Sequence, residues 1–208
     1  MSYRYRSGLG VVEYIIITCV VLWIAVSINQ AAIGAGARVV DGSLLGSLAL
    51  RPNHLPQQFW TVLTAMFVHE PFTAGGSGIT HILFNMITLY FFGSFLVNIV
   101  GDRAFLLIFL VGGIAGNLLY LAVGSGAPVI GASGAIFAAG GALAVLRPRS
   151  AVYVFPIPVP IPLWIAVLGG FLLTFAATGI AWQAHLGGLV AGLVTGLIFR
   201  QRATGRWF

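Results

Sequence analysis

Residues 104–146 read AFLLIFLVGGIAGNLLYLAVGSGAPVIGASGAIFAAGGALAVL and contain no charged side chain. A helix that crosses a lipid bilayer needs about 20 mostly apolar residues, so this stretch is too long for one crossing. Ser125–Pro128 interrupts it, because glycine and proline mark turns between helices. The stretch therefore predicts two membrane spans, at residues 104–124 and 131–146.

Apolar segments on either side of this stretch, with a charged residue at most near one end, predict four more spans. They cover residues 11–30, 79–100, 159–178 and 183–200, and residues 31–78 form a long first loop. In lipid, only helices or closed barrels satisfy their backbone hydrogen bonds, and these segments lack the two-residue alternation of barrel strands. We predict an all-α membrane protein, a single domain over residues 1–208 that forms a bundle of six transmembrane helices.

The composition also indicates a membrane protein. Apolar residues make up 59% of the chain and charged residues only 7%, whereas a soluble domain carries charge at roughly a quarter of its positions. The net charge is +6, but the arginines form no basic stripe, so nucleic acid is not expected as a partner. Cys19 is the only cysteine, which argues against a disulfide or a thiolate metal site, and we expect no cofactor and no metal.

All ten basic residues are arginines, and their placement predicts the orientation of the spans. Cytoplasmic loops of membrane proteins are enriched in basic residues. With the N-terminus inside, the cytoplasmic arginines are Arg4, Arg6, Arg103, Arg147, Arg149, Arg200, Arg202 and Arg206. Only Arg38 and Arg51 then face outward. We expect a multi-pass protein of a cell membrane, of the prokaryotic plasma-membrane type, with both termini in the cytoplasm.

Four polar residues are predicted to meet near the outer face. Spans two, four and six run from outside to inside, so their N-terminal ends share one depth. These ends carry His81, Asn85, Ser133 and His185. Alone, each of these side chains could serve packing or bridge two helices. Because polar groups are costly at membrane depth, their convergence on three helices predicts a functional site on the extracytoplasmic side.

Spans four and six present small side chains that predict a close contact between the two helices. In steps of three and four residues, the faces are His185, Gly188, Leu189, Gly192 and Gly196 in span six, and Ser133, Phe137, Gly140, Gly141 and Ala144 in span four. Small residues at this spacing let two backbones approach closely. Such a contact would bring Ser133 and His185 together.

Ser133 and His185 are the predicted nucleophile and general base. A serine hydroxyl needs a base within about 2.6–3.2 Å to take its proton, and histidine titrates near neutral pH. None of the four carboxylates lies within the uncharged run of a span, so we predict a dyad and not a triad. They are Glu13 and Asp102 on the cytoplasmic side, and Asp41 and Glu70 in the outer loop. Phe137 either stacks on the imidazole as an orienting group or serves core packing.

Acyl transfer also needs hydrogen-bond donors that face the developing oxyanion. Ser133 begins a helix, so its backbone N–H and the positive end of the helix dipole face the site. His81 and Asn85 lie on one face of span two, and both side chains can donate. We therefore assign the oxyanion role to His81, Asn85 and the backbone of Ser133.

Three motifs resemble the rhomboid intramembrane serine proteases over Trp60–Phe199. They are HILFNM at residues 81–86, GASG at 131–134 and AHLGG at 184–188. The resemblance implies a six-helix core, and a Ser133–His185 dyad that cleaves transmembrane segments of membrane proteins, near small residues, through an acyl-enzyme. It also implies oxyanion help from His81 and Asn85. The residues that would support the nucleophile are Gly131, Ala132, Gly134 and Phe137.

Two features depart from the family pattern. Many members carry Trp-Arg in the first loop where this chain has Trp60-Thr61. The segment of residues 70–80 is longer than is common in the family, and it is rich in glycine. Both departures concern the outer loop and leave the proposed chemistry untouched.

The alternative function is a catalytically silent relative that binds or escorts membrane helices. That reading predicts loss of Ser133 or His185, and both are present. A channel or transporter would usually show carboxylates within spans or paired repeats. Zinc chemistry is disfavoured because Pro71 follows His69-Glu70. The predicted partners are transmembrane protein substrates and the lipid bilayer, and the sequence leaves the oligomeric state open.

Overall fold

The computed structural model describes residues 9–154, 158–175 and 179–203, with side chains described up to residue 201. Its helices are α1 Val11–Ala32, α2 Leu44–Leu48, α3 Thr61–Thr64, α4 Gly76–Val100, α5 Asp102–Val123, α6 Ser133–Leu146, α7 Leu163–Leu173 and α8 Trp182–Ala203. Single 3₁₀ turns cover Pro52–His54 and Phe72–Ala74. Two short strands, β1 (Ala151–Val152) and β2 (Ile161–Pro162), form an antiparallel pair that the all-α prediction did not include.

Within the described residues, four helices are long and apolar enough to cross a membrane: Val11–Ala32, Gly76–Val100, Asp102–Val123 and Trp182–Gln201. The shorter apolar helices α6 and α7 lie within the predicted fourth and fifth spans. Residues 176–178 of the predicted fifth span lie outside the described residues, as do Arg4, Arg6 and Arg206. The chain is therefore a multi-pass membrane protein with a mostly helical bundle.

Helix α6 lies at the centre of the bundle. It packs against α4, α5, α7 and α8, and almost all of its side chains from Gly134 to Leu143 are buried. Alanine and glycine dominate this stretch, which lets neighbouring helices approach its backbone. Ser133 is the first residue of this helix, so its position is set by the most enclosed helix of the molecule.

The loop between α1 and α4 is folded. The Trp60 indole donates a hydrogen bond to the Ser47 carbonyl at 2.9 Å. The Arg51 side chain is mostly buried and bonds to both Asp41 and Gln58. In a chain that has threonine after Trp60, Arg51 thus provides a cationic link within this loop.

The loop is also fixed to the segment that leads into α6. Leu50 and Val129 exchange two backbone hydrogen bonds, of 3.0 and 2.8 Å. The Gly131 N–H then donates to the Ala65 carbonyl at 2.9 Å. These bonds hold residues 129–131 between the outer loop and the start of α6, next to the predicted site.

Candidate active site

Ser133 and His185 are in direct contact. The Ser133 Oγ lies 2.7 Å from the His185 Nε2, which is a good hydrogen-bond distance. Ser133 begins α6 and His185 lies in the first turn of α8, so the contact joins the N-terminal ends of two helices. The His185 side chain is buried. The structure thus brings together the two residues on which the sequence hypothesis depends.

Close packing of α6 and α8 produces this contact. A Cβ atom at Gly188 would clash with the Gly134 carbonyl oxygen, and one at Gly192 would clash with the Ala138 carbonyl oxygen. One turn further, a Cβ at Gly196 would lie 2.9 Å from the Ala142 Cα. The α8 backbone therefore rests on the α6 backbone over three turns.

The face of α6 that meets these glycines differs from the predicted one. The prediction placed Ser133, Phe137, Gly140, Gly141 and Ala144 on it. In the structure, Gly134, Ala138 and Ala142 contact these glycines, and Gly141 contacts Leu189 of α8. Gly140 instead faces Phe92 of α4 and Val167 of α7. The prediction for Gly140 was wrong because α6 is enclosed on all sides, so its small residues serve several neighbours.

Phe137 stacks on the His185 ring. The ring centroids are 4.8 Å apart and the planes are inclined by 34°. Phe137 also makes an edge contact with Phe171 of α7, with centroids 6.0 Å apart. Both predicted roles, stacking and packing, are therefore compatible with its position. The His185 Nδ1 has no hydrogen-bond partner within the described residues, which is consistent with the absence of an orienting carboxylate there.

His81 lies beside the Ser133 hydroxyl, across Gly131. Gly131 has a φ of 117°, and a Cβ there would lie 2.9 Å from the His81 Nε2 and 3.8 Å from the Ser133 Oγ. The Glu70 N–H donates to the His81 Nδ1 at 3.4 Å. A neutral imidazole that accepts at Nδ1 carries its proton on Nε2. The His81 Nε2–H therefore points toward the space above Gly131 and Ser133.

Asn85 lines the same cavity but is partly engaged elsewhere. Its Nδ2 donates to the His81 carbonyl of its own helix at 2.8 Å. Its Oδ1 is buried and has no partner among the described residues. A side-chain amide has two N–H donors, so one of them is left for a ligand.

Backbone donors also face the site at the start of α6. The first N–H groups of a helix have no acceptor within that helix. The Ala132 N–H donates a hydrogen bond to the His69 Nε2 at 3.4 Å. The N–H groups of Ser133 and Gly134, in contrast, have no partner within the described part of the chain. The positive end of α6 thus points at the Ser133 hydroxyl.

His69 was missed by the sequence analysis as a site residue. Its side chain is fully buried, and its ring makes an edge contact with His81, with centroids 5.2 Å apart. Burial, and to a lesser extent the nearby His81, lowers the pKa of His69 from 6.5 to about 3. The His69 imidazole therefore stays neutral and accepts a hydrogen bond from the Ala132 N–H, which holds that peptide in place. Its only sequence signal was a third histidine in the outer region, which carries no geometric information.

A cavity of about 940 Å³ opens in front of these groups. Ser133, His185, His81 and Asn85 all line it. Within the described residues there is no group of three His, Cys, Asp or Glu side chains that could hold a metal ion. The cavity therefore brings the Ser133 hydroxyl, the His185 imidazole and several hydrogen-bond donors together.

Comparisons with a protein family and with individual proteins point to the same family. The rhomboid domain family matches residues 56–202. The mitochondrial Rhomboid protein 1 of Saccharomyces cerevisiae is 30% identical over 71% of this chain. The rhomboid protease GluP of Bacillus subtilis is 30% identical over 90% of this chain. This chain covers 47% and 34% of those two proteins. A second Bacillus subtilis relative, YdcA, is 28% identical over 95% of this chain and 92% of its own length.

The family match covers most of the bundle and includes all three motifs that carry Ser133, His185, His81 and Asn85. The relatives agree with that match: GluP is named as a rhomboid protease and YdcA as a putative one. The resemblance inferred from the motifs is thereby confirmed. This chain belongs to the rhomboid family.

Proposed function

We propose that this protein is an intramembrane serine endopeptidase that cleaves transmembrane segments of other membrane proteins through a Ser133–His185 dyad. The observation that carries the proposal is the 2.7 Å contact between the Ser133 Oγ and the His185 Nε2 at the wall of the cavity. The family of the chain and its relatives suggest intramembrane proteolysis. The dyad, the oxyanion donors and the acyl-enzyme are our proposal for this chain.

In the first step, Ser133 Oγ attacks the carbonyl carbon of the scissile peptide while His185 Nε2 takes the hydroxyl proton. The tetrahedral intermediate then collapses, the C–N bond breaks, and His185 gives that proton to the leaving amine. Water attacks the resulting Ser133 ester and loses a proton to His185. The second collapse releases the carboxylic acid product, and the proton returns to Ser133 Oγ.

The negative oxygen of each tetrahedral intermediate would be stabilised by donors already aimed at it. These donors are the Ser133 N–H at the start of α6, the His81 Nε2–H and the second N–H of Asn85. Preorganised donors of this kind are worth about 3–4 kcal/mol each when tested one at a time. Because His81 accepts a hydrogen bond at Nδ1, its ring is held in the tautomer that donates.

Four supporting residues would keep this geometry. Gly131 gives His81 room beside Ser133, and Ala132 fixes the preceding peptide on His69. Gly134 lets α8 approach, and Phe137 holds the His185 ring by stacking. In this proposal the aromatic ring takes the orienting role that a carboxylate has in a triad.

We further propose six membrane crossings, with both termini on the arginine-rich cytoplasmic side. Helix α6 would be about 21 Å long at 1.5 Å per residue, shorter than the hydrocarbon core of a bilayer. Its buried outer end would place Ser133 below the membrane surface, in a cavity that admits water from the extracytoplasmic side. Substrate helices would unwind there before cleavage.

The experiment is cleavage of a model transmembrane substrate by the protein reconstituted in lipid. Ser133→Ala and His185→Ala should each reduce kcat/KM by about a thousandfold or more, with unchanged thermal unfolding of the protein. Labelling by a fluorophosphonate should require Ser133. The matched control is Ser47→Ala, which removes a hydroxyl on the same side of the protein but outside the cavity.

Unchanged turnover in either dyad variant would end the proposal. A wild-type protein that binds the substrate helix without cleaving it would instead favour the alternative of a silent helix-binding relative. Labelling that survives in Ser133→Ala would show that another nucleophile reacts.

A further inference from the structure

The cavity in front of Ser133 has one formally charged lining residue within the described part of the chain. This residue is Glu70, and no Asp, Lys or Arg lines the cavity with it. The polar lining otherwise consists of neutral hydroxyl and amide groups and two histidines. The formal charge among the lining residues is therefore contributed by Glu70, which belongs to the loop between α1 and α4.

The backbone of Glu70 is held in place on several sides. Its N–H donates to the His81 Nδ1, and its carbonyl accepts a 2.8 Å hydrogen bond from the Trp23 indole. The start of α4 presses on it, since a Cβ at Gly78 would lie 3.1 Å from the Glu70 carbonyl oxygen. The Cα of Glu70, and with it the start of the side chain, is therefore held in one position between α1, α4 and the cavity.

The carboxylate of Glu70 is not neutralised by a neighbour. It forms no ion pair within the residues that the structure describes, and its side chain is half-buried. The two outer arginines are engaged elsewhere, because Arg51 pairs with Asp41 and Arg38 donates to the Ala35 carbonyl. The carboxylate is close enough to the His81 ring for an electrostatic interaction. A substrate that enters the cavity would therefore find among its lining residues a carboxylate with no ion-pair partner in the described part of the chain.

We propose that Glu70 makes the protein select substrates by charge. It favours a lysine or arginine in the unwound substrate segment that passes the mouth of the cavity, and it disfavours aspartate or glutamate at the same place. The inference rests on the proposed proteolytic function, which it deepens by naming a feature of the substrate. Glu70 would be a specificity-determining residue and takes no part in proton transfer.

The expected size of the effect follows from its half-buried position. An ion pair near the protein surface contributes at most about 1 kcal/mol, which corresponds to about a fivefold preference. Such a preference weakens as salt rises from about 0.05 M to about 0.5 M. If Glu70 instead acted only on His81, its removal would change the rates for all substrates by the same factor.

The test is a set of matched substrates that carry Lys, Gln or Glu at one position at a time, from about four residues before the scissile bond to about three after it. The ratios of kcat/KM for the Lys and Gln substrates, and for the Glu and Gln substrates, are measured for the wild type and for Glu70→Gln, Glu70→Lys and Asp41→Asn. Asp41 is the matched control, because it is the other carboxylate of the outer loop and does not line the cavity. Ratios within one variant cancel any general loss of activity.

We expect a Lys preference of about threefold to fivefold at one position or two adjacent positions. It should vanish in Glu70→Gln, turn into a Glu preference in Glu70→Lys, and persist in Asp41→Asn. A preference that survives in Glu70→Gln, or equal changes for all three substrates, would overturn the inference.

A binding measurement separates this inference from the proposed function. Dissociation constants of the same substrates are measured with Ser133→Ala and with Ser133→Ala/Glu70→Gln, which needs no turnover. Charge-dependent binding without cleavage by the wild type would overturn the proteolytic proposal and keep the role of Glu70. Cleavage without charge-dependent binding would overturn the role of Glu70 alone.

Discussion

Two neighbouring helices each carry a Gly-Gly pair, and the surroundings of the two pairs are opposite. On α8, a Cβ at Gly188 would clash with the Gly134 carbonyl oxygen, and one at Gly187 would lie 2.7 Å from the Ala115 carbonyl oxygen. On α7, a Cβ at Gly169 or Gly170 would meet no atom within 4 Å. The same dipeptide thus marks a backbone contact on one helix and open space on the other.

The difference shows where the molecule fixes its site. Helix α8 carries His185 and packs against both α5 and α6, so its register determines the distance from His185 to Ser133. Helix α7 contacts α6 chiefly through Val167 and Phe171, and its end exposes Leu173. Substitutions on α8 should therefore change both stability and chemistry, whereas equivalent substitutions on α7 should change neither by much.

Among the glycine substitutions that test this comparison, the largest effect is expected for Gly188→Ala. The added methyl group has no space against the Gly134 carbonyl, so α8 must move away from α6. We expect a loss of about 3 kcal/mol in the free energy of unfolding. Because the movement separates His185 from Ser133, kcat/KM for a model substrate should also fall by at least about a hundredfold. Thermal unfolding in detergent and the cleavage assay measure the two effects, and wild-type values in both would contradict the contact.

Gly131→Ala should have the second largest effect. Gly131 has a φ of 117°, and the new Cβ would push against the His81 imidazole. Loss of one oxyanion donor costs about a hundredfold or more in kcat. The matched control is Gly126→Ala, since Gly126 has a φ of 83° but open space around its Cβ position. Both variants carry backbone strain, and only Gly131→Ala should lose activity.

The sequence was sufficient to predict the positions of those site residues whose placement follows from the order of the spans. Ser133 and His185 were predicted to meet because two parallel spans begin at the same depth and carry small residues. The sequence was insufficient to predict which face of α6 meets α8. Gly140 and Gly141 are neighbouring glycines, but they contact different helices. His69 and Glu70 lie in a loop, where no helical period relates residue number to position. Their places depend on contacts with His81 and Trp23 that only the folded chain defines.

A third prediction concerns the pH dependence of stability at the loop side of the site. The pKa of His69 is lowered from 6.5 to about 3 in the folded protein, so between these values only the unfolded chain binds the proton. Stability therefore falls as pH drops below 6.5, by about 1.4 kcal/mol at one pH unit below that value. His69→Gln keeps an acceptor for the Ala132 N–H and does not titrate. Its unfolding midpoint should depend less on pH between 7 and 5 than that of the wild type, and equal slopes would contradict the burial of a neutral His69.

The smallest effect is expected for Gly170→Ala, which completes the comparison with Gly188→Ala. Both substitutions add one methyl group to the second glycine of a Gly-Gly pair in an apolar helix, but only the Cβ of residue 170 has open space. Alanine is also the better helix former, by about 0.8–1 kcal/mol in a helix interior. The unfolding midpoint of Gly170→Ala should stay the same or rise slightly, and the kcat/KM of the neutral model substrate should stay within about twofold of the wild type. A large loss of stability would mean that α7 is packed against a neighbour at this point, and the contrast between the two helices would then be wrong.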